Sequence, residues 1–197
     1  LPEALAWGGS ATWADRILVL GGSNNVDQEI GLSDRAYIGA VELTTGDIVS
    51  WSESQNRLPV PMSDFATVQI NDRVYLLGGW RREGETNVVS DKVHFTRITT
   101  LGDVGAWTET TPMPESRRSF ECAAANGKIY VVGGYDAGEY SRRNVYYADI
   151  LADGTLGDWT VCSESLPLTP PASTYNTGFS SFGLAADDGF LYLVGGY

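Results

Sequence analysis

The sequence predicts an all-β fold made of one repeated sheet, and three observations predict it. An apolar run of four residues ending in Gly-Gly recurs at Gly21-Gly22, Gly78-Gly79, Gly133-Gly134 and Gly195-Gly196, at intervals of 57, 55 and 62 residues. A tryptophan follows the first three pairs, at Trp51, Trp107 and Trp159, offset by 30, 29 and 26 residues. An apolar-Pro pair precedes the same three by 20 residues, at Leu1-Pro2, Leu58-Pro59 and Met113-Pro114. A fixed period in this range marks a repeat architecture.

Each unit reads as four strands, A to D. Arg73–Leu77 and Lys128–Val132 are short, β-branched and aromatic-rich runs bounded by turn residues, as strand B should be. Asn71-Asp72, Asn126-Gly127 and Asp188-Gly189 join A to B as tight hairpins, because these residues tolerate positive φ. Thr45-Gly46-Asp47 and Asp153-Gly154-Thr155 form the loop between strand C and the tryptophan strand D. No window carries a sustained helical period. The units are expected at 1–57, 58–112 and 113–165, with strands A and B of a fourth at 166–197. In that fourth copy Leu166-Pro167 lies 29 residues before Gly195, which places a nine-residue insertion at Thr169 to Thr177. A four-stranded sheet of this kind cannot bury both faces alone, and stacking such sheets radially is the propeller solution.

The chain resembles the kelch-repeat β-propellers, a group related to the central domain of galactose oxidase. The residues that carry the resemblance are the apolar run before each Gly-Gly, the aromatic just after it (Trp80, Tyr135, Tyr197) and the strand D tryptophan. Arg117 stands where kelch units often have an arginine opening strand A, and Asp153–Trp159 looks like the bacterial, secreted style of the repeat. The expected architecture is therefore a kelch-type propeller segment of about three and a half four-stranded antiparallel blades. A propeller closes with roughly four to eight blades, so further blades are expected beyond this segment. In kelch relatives the B–C loops and D–A connections form one face around the central channel, where ligands and partner peptides dock.

Composition narrows the function classes. The formal net charge is −12, with 25 acids against 13 bases, only two of them lysines (Lys92 and Lys128). A nucleic-acid binder shows the reverse balance, and anionic membrane surfaces are disfavoured for the same reason. No apolar run approaches the roughly 20 residues that span a bilayer. Acid excess with scarce lysine leans toward an extracellular or cell-surface protein. Cys122 and Cys162 fall on strands A and D of one unit, roughly 14 Å apart at ordinary strand spacing, beyond disulfide reach; two free thiols are expected.

The shared residues read as scaffold: Gly21, Gly22, Gly78, Gly79, Gly133, Gly134, Gly195 and Gly196 for positive φ and close approach, and Trp51, Trp107 and Trp159 for packing. No helix follows the glycine pairs, so they are not phosphate loops. His94 is the only histidine and cannot build a histidine-rich metal centre or supply more than one member of a catalytic triad. The acids Asp149, Asp153 and Asp158 are better explained by a turn than by a calcium loop. No catalytic residues, metal or cofactor are assigned. Candidate binding residues lie where units differ: Ser63, Asp64, Arg117, Arg118 and Ser119 before strand A, and Arg81, Arg82, Tyr135 and Arg142 after Gly-Gly. Ser180 and Ser181 fall at matching positions of the fourth unit. Arginine beside serine suits carboxylates and other anions.

The leading expectation is a non-enzymatic binding or scaffold module of a secreted or surface protein, with a protein or glycan partner. One alternative is a carbohydrate-active enzyme of the sialic-acid mutarotase or oxidase type. Its missing residues would lie in further blades. The other is a structural subunit of a filament or envelope.

Overall fold

Tight hairpins start every blade. Asn71, Asn126 and Asp188 have φ of 53°, 51° and 47°, and in the first blade Ala14 takes the same role at 50°. The computed structural model describes residues 1–25, 27, 30–167 and 178–196; the expected insertion at 169–177 and the Tyr197 aromatic lie outside them.

Blade 1 consists of β1 (Gly9–Trp13), β2 (Arg16–Leu20), β3 (Ala36–Val41) and β4 (Ile48–Glu53), antiparallel neighbours in that order. β5 (Met62–Ser63) leads into blade 2, which is β6 (Ala66–Ile70), β7 (Arg73–Leu77), β10 (Val93–Arg97) and β11 (Thr108–Thr110). Between β7 and β10, β8 (Trp80–Glu83) and β9 (Thr86–Val89) form a hairpin that joins β5 in a three-stranded sheet. Blade 3 is β12 (Glu121–Ala125), β13 (Lys128–Val132), β14 (Val145–Asp149) and β15 (Thr160–Val161). β16 (Phe182–Asp187) and β17 (Phe190–Gly195) pair as the A and B strands of a fourth. Among the described residues there is no helix. The A strands β1, β6, β12 and β16 lie side by side, so they form the inner wall.

The uninterrupted apolar run of strand B is a consequence of burial on both faces. In β7, Val74 and Leu76 pack toward blade 1 with Leu18, Leu20 and Ala36. Tyr75 and Leu77 pack toward blade 3 with Ile129, Val131 and Phe120. All four are 0% exposed, and each such side chain contributes roughly 1.5–3 kcal/mol. Trp107 packs into the blade 1–2 core and Trp159 into the blade 2–3 core, where the Trp159 indole N–H also donates to the Thr111 carbonyl at 3.1 Å. Trp51 lies over Gly39, on the face of blade 1 away from blade 2. Trp107 and Trp159 stand just before their D strands, not in them. There the C–D loops make an extra bridge, Ile98 with Val104 and Ile150 with Leu156, which delays pairing to strand C.

The glycine pairs are junctions between blades. Gly78 and Gly79 have φ of 62° and 79°, a region costly for other residues. A Cβ on Gly78 would lie 2.5 Å from the Arg117 carbonyl of the next blade, and one on Gly79 would lie 2.4 Å from the Ser63 carbonyl of its own. The second glycine donates its N–H across the blade boundary in all three junctions: Gly22 to Met62, Gly79 to Arg117 and Gly134 to Phe179, at 2.7–2.8 Å. Cys122 and Cys162 are free thiols, Cys122 buried.

Candidate functional site

Just ahead of strand A, a single residue in each blade takes a left-handed backbone: Trp7 (φ 54°), Asp64 (53°), Ser119 (50°) and Ser181 (53°). Their backbones are hydrogen-bonded to one another around the channel. Asp64 N–H donates to the Trp7 carbonyl at 2.7 Å, Ser119 to Asp64 at 3.4 Å and Ser181 to Ser119 at 3.1 Å. The belt turns its side chains toward a recess of about 300 Å³ lined by Trp7, Asp64, Ser119, Glu121, Ser181 and the phenylalanines Phe65, Phe120 and Phe182. Non-glycine residues held at positive φ carry strain that clusters at functional sites.

The polar groups of the recess are ordered by Arg118. Its guanidinium lies between the Trp80 ring (5.6 Å) and the Tyr135 ring (5.0 Å), the aromatics that follow Gly-Gly in blades 2 and 3. It pairs with Glu139 and sits 3.7 Å from Asp64, leaving Arg118 8% exposed. The Ser119 hydroxyl donates to Asp64 Oδ2 at 2.6 Å. Burial pushes the Asp64 carboxyl up from its ordinary value, while Ser119 and Arg118 pull it back. Glu121 has no such help. Burial, and then the like charge of Asp64, raise its carboxyl to about 7. Among the described residues no hydrogen bond or ion pair engages its side chain.

Of the residues singled out in the sequence, Asp64, Arg118, Ser119 and Tyr135 come together here, while Ser63 is buried on β5 beside them. Arg81 and Arg82 lie on the β8–β9 hairpin, Arg81 near Glu83 at 3.5 Å and Arg82 donating to the Glu85 carbonyl at 3.0 Å. Arg117 is elsewhere. It is 0% exposed, donates to Glu115 at 2.9 Å and stacks 5.6 Å over Tyr146, so it offers no surface to a ligand. Arg142 sits at the rim of that network, paired with Asp136 and 3.8 Å from Glu115.

Trp7 and Glu121 escaped the sequence reading. A signal was available: registering the A strands on Gly-Gly aligns Gly9, Ala66, Glu121 and Gly183, opposite Leu20, Leu77, Val132 and Val194. Only one of these residues carries a side chain beyond a methyl. The same register explains His94, which replaces the strand C tyrosine. Tyr37 and Tyr146 each bond the carboxylate after the proline, Glu3 at 2.7 Å and Glu115. In blade 2 that position is Val60, and His94 is buried, its imidazole pushed down by desolvation. Among the described residues no group of three metal-ligating side chains converges.

Comparison with known proteins agrees with this architecture. The Kelch motif model matches residues 116–147. The Kelch-like protein terF of Aspergillus terreus is 30% identical over 146 residues, covering 72% of this chain and 28% of that protein. Kelch repeat and BTB domain-containing protein 12 is 27% identical in Danio rerio, over 78% of this chain and 25% of that protein. Its Homo sapiens counterpart is 26% identical, over 71% and 22%. The chain thus spans about a quarter of the length of these curated relatives. The solved structure of YjhT superposes with a TM-score of 0.69 at 15% identity, covering 98% of this chain and 59% of that one. The protein is a kelch-repeat β-propeller, seen here as three four-stranded blades and the first hairpin of a fourth. Kelch-repeat proteins are generally protein-binding scaffolds.

Proposed function

We propose that this protein is a non-enzymatic binding module of a secreted or cell-surface protein, docking a protein partner on the face formed by its B–C and D–A loops. One observation carries the reading. The repeated Gly-Gly pairs, with Trp107 and Trp159, are consumed in the junctions between blades, whereas the position ahead of strand A, which varies as Trp7, Asp64, Ser119 and Ser181, and the singular Glu121 gather around one recess. Loops and rims on a rigid scaffold are where recognition resides. The acid excess and scarcity of lysine support the extracellular setting. Photo-crosslinking tests the docking face. A photoreactive residue at Ser181 captures a protein partner that one at Asp47, in the C–D loop of blade 1, does not. Equal capture at both positions contradicts the reading.

A second reading follows from Glu121, since a carboxyl near 7 in a recess suits general acid–base chemistry. It makes the protein a carbohydrate-active enzyme. Turnover of a sugar that Glu121→Gln abolishes is the result that favours it over the binding module.

A further inference from the structure

We infer that the recess receives a cationic side chain, a lysine or arginine of the docking segment, with Glu121 as its counter-charge; this rests on the docking face proposed above. The first argument is position. Glu121 opens β12 where the equivalent residues are Gly9, Ala66 and Gly183, so the inner wall carries one charged side chain where the repeat otherwise keeps room. The second is that the Glu121 side chain, unlike its backbone on β12, bonds nothing in the scaffold. Asp64, across the recess, is answered by the Ser119 hydroxyl at 2.6 Å and by Arg118 at 3.7 Å, while among the described residues Glu121 has no partner.

The surroundings set the sign of the guest. From blade 1 the recess receives Trp7 and Gly8, from blade 2 Asp64 and Phe65, from blade 3 Ser119 and Phe120, and from the fourth Ser181 and Phe182. Of these only Asp64 is charged, and the neighbouring Cys122 is a buried thiol. Arg118 lies close by but is enclosed by two rings, Glu139 and Asp64. A half-buried carboxylate with no protein partner gains by pairing with a cation that reaches it. An anionic guest would add a like charge. Trp7, 41% exposed, offers an indole face for the alkyl stem or the cation itself, and Ser119 and Ser181 offer hydroxyl acceptors. The net charge of −12 steers a basic segment toward the protein.

Calorimetric titration with end-capped tetralysine and tetraglutamate peptides tests the inference. Tetralysine binds at pH 8 and binds about tenfold more weakly at pH 5.5, where Glu121 is protonated. Glu121→Gln weakens it about tenfold at pH 8, while Asp47→Asn leaves it unchanged; thermal melts of both variants check that they fold. Binding indifferent to Glu121→Gln overturns the inference, as does preference for tetraglutamate, and in both cases the docking face stands. If neither peptide binds yet crosslinking at Ser181 still captures a partner, the inference fails alone. Loss of that capture overturns the docking face as well.

Discussion

The residue that most distinguishes this propeller is Glu121, and its environment makes a prediction with a definite sign. Its folded carboxyl titrates near 7, above its ordinary 4.5. Between those values the folded state holds the proton that the unfolded state releases, so stability falls as pH rises through this window and stays lower above it. Glu121→Gln removes the loss. Its stability relative to the parent should rise by up to ~3 kcal/mol between pH 4 and pH 8, measured by denaturant unfolding at each pH. A parallel shift of both proteins with pH would contradict this. Arg117 was legible as the arginine ahead of strand A but not as a buried one, because burial depends on Tyr146 and Glu115 arriving from the same blade. Arg117→Ala should therefore cost about 2–4 kcal/mol, and Arg117→Met, which keeps the volume, distinctly less. Equal stability of Arg117→Ala and the parent would contradict its structural role.

At the scale of elements, the hairpins and strand B runs were readable because turn residues and β-branched runs are local signals. The β8–β9 hairpin was not: Arg81–Glu85 reads as a polar loop, and its pairing is set by β5, a strand of two residues. The glycine pairs were readable as strand ends with positive φ. That the second glycine bonds to the next blade required the structure. The junction predicts a contrast between Gly78 and Gly84, whose φ values are 62° and 59°. Gly78→Ala places a Cβ 2.5 Å from the Arg117 carbonyl of the next blade and should cost about 2–4 kcal/mol. Gly84→Ala, at the tip of the β8–β9 hairpin with nothing within 4 Å, should cost only about 1 kcal/mol. Similar melting temperatures for the two variants would contradict the junction.

At the scale of the molecule, the blades are held by the packing of strand B between two neighbours and by the tryptophans at their boundaries. Trp107→Ala opens a hole in the blade 1–2 core and should cost about 3–5 kcal/mol. Trp51→Ala, on the face of blade 1 away from blade 2, should cost clearly less in unfolding experiments on this chain. The period gave away the fold because every unit must repeat the residues that join it to the next. The recess was harder to see because its charged groups, Asp64 and Glu121, occur in single blades, and they meet only when four blades are joined by a belt of left-handed backbone. The most direct test of the account is an NMR titration of the Glu121 side-chain carboxyl. A midpoint near 7 that moves down when a tetralysine peptide is bound is the expected result. A midpoint near 4.5 that the peptide does not move would contradict it.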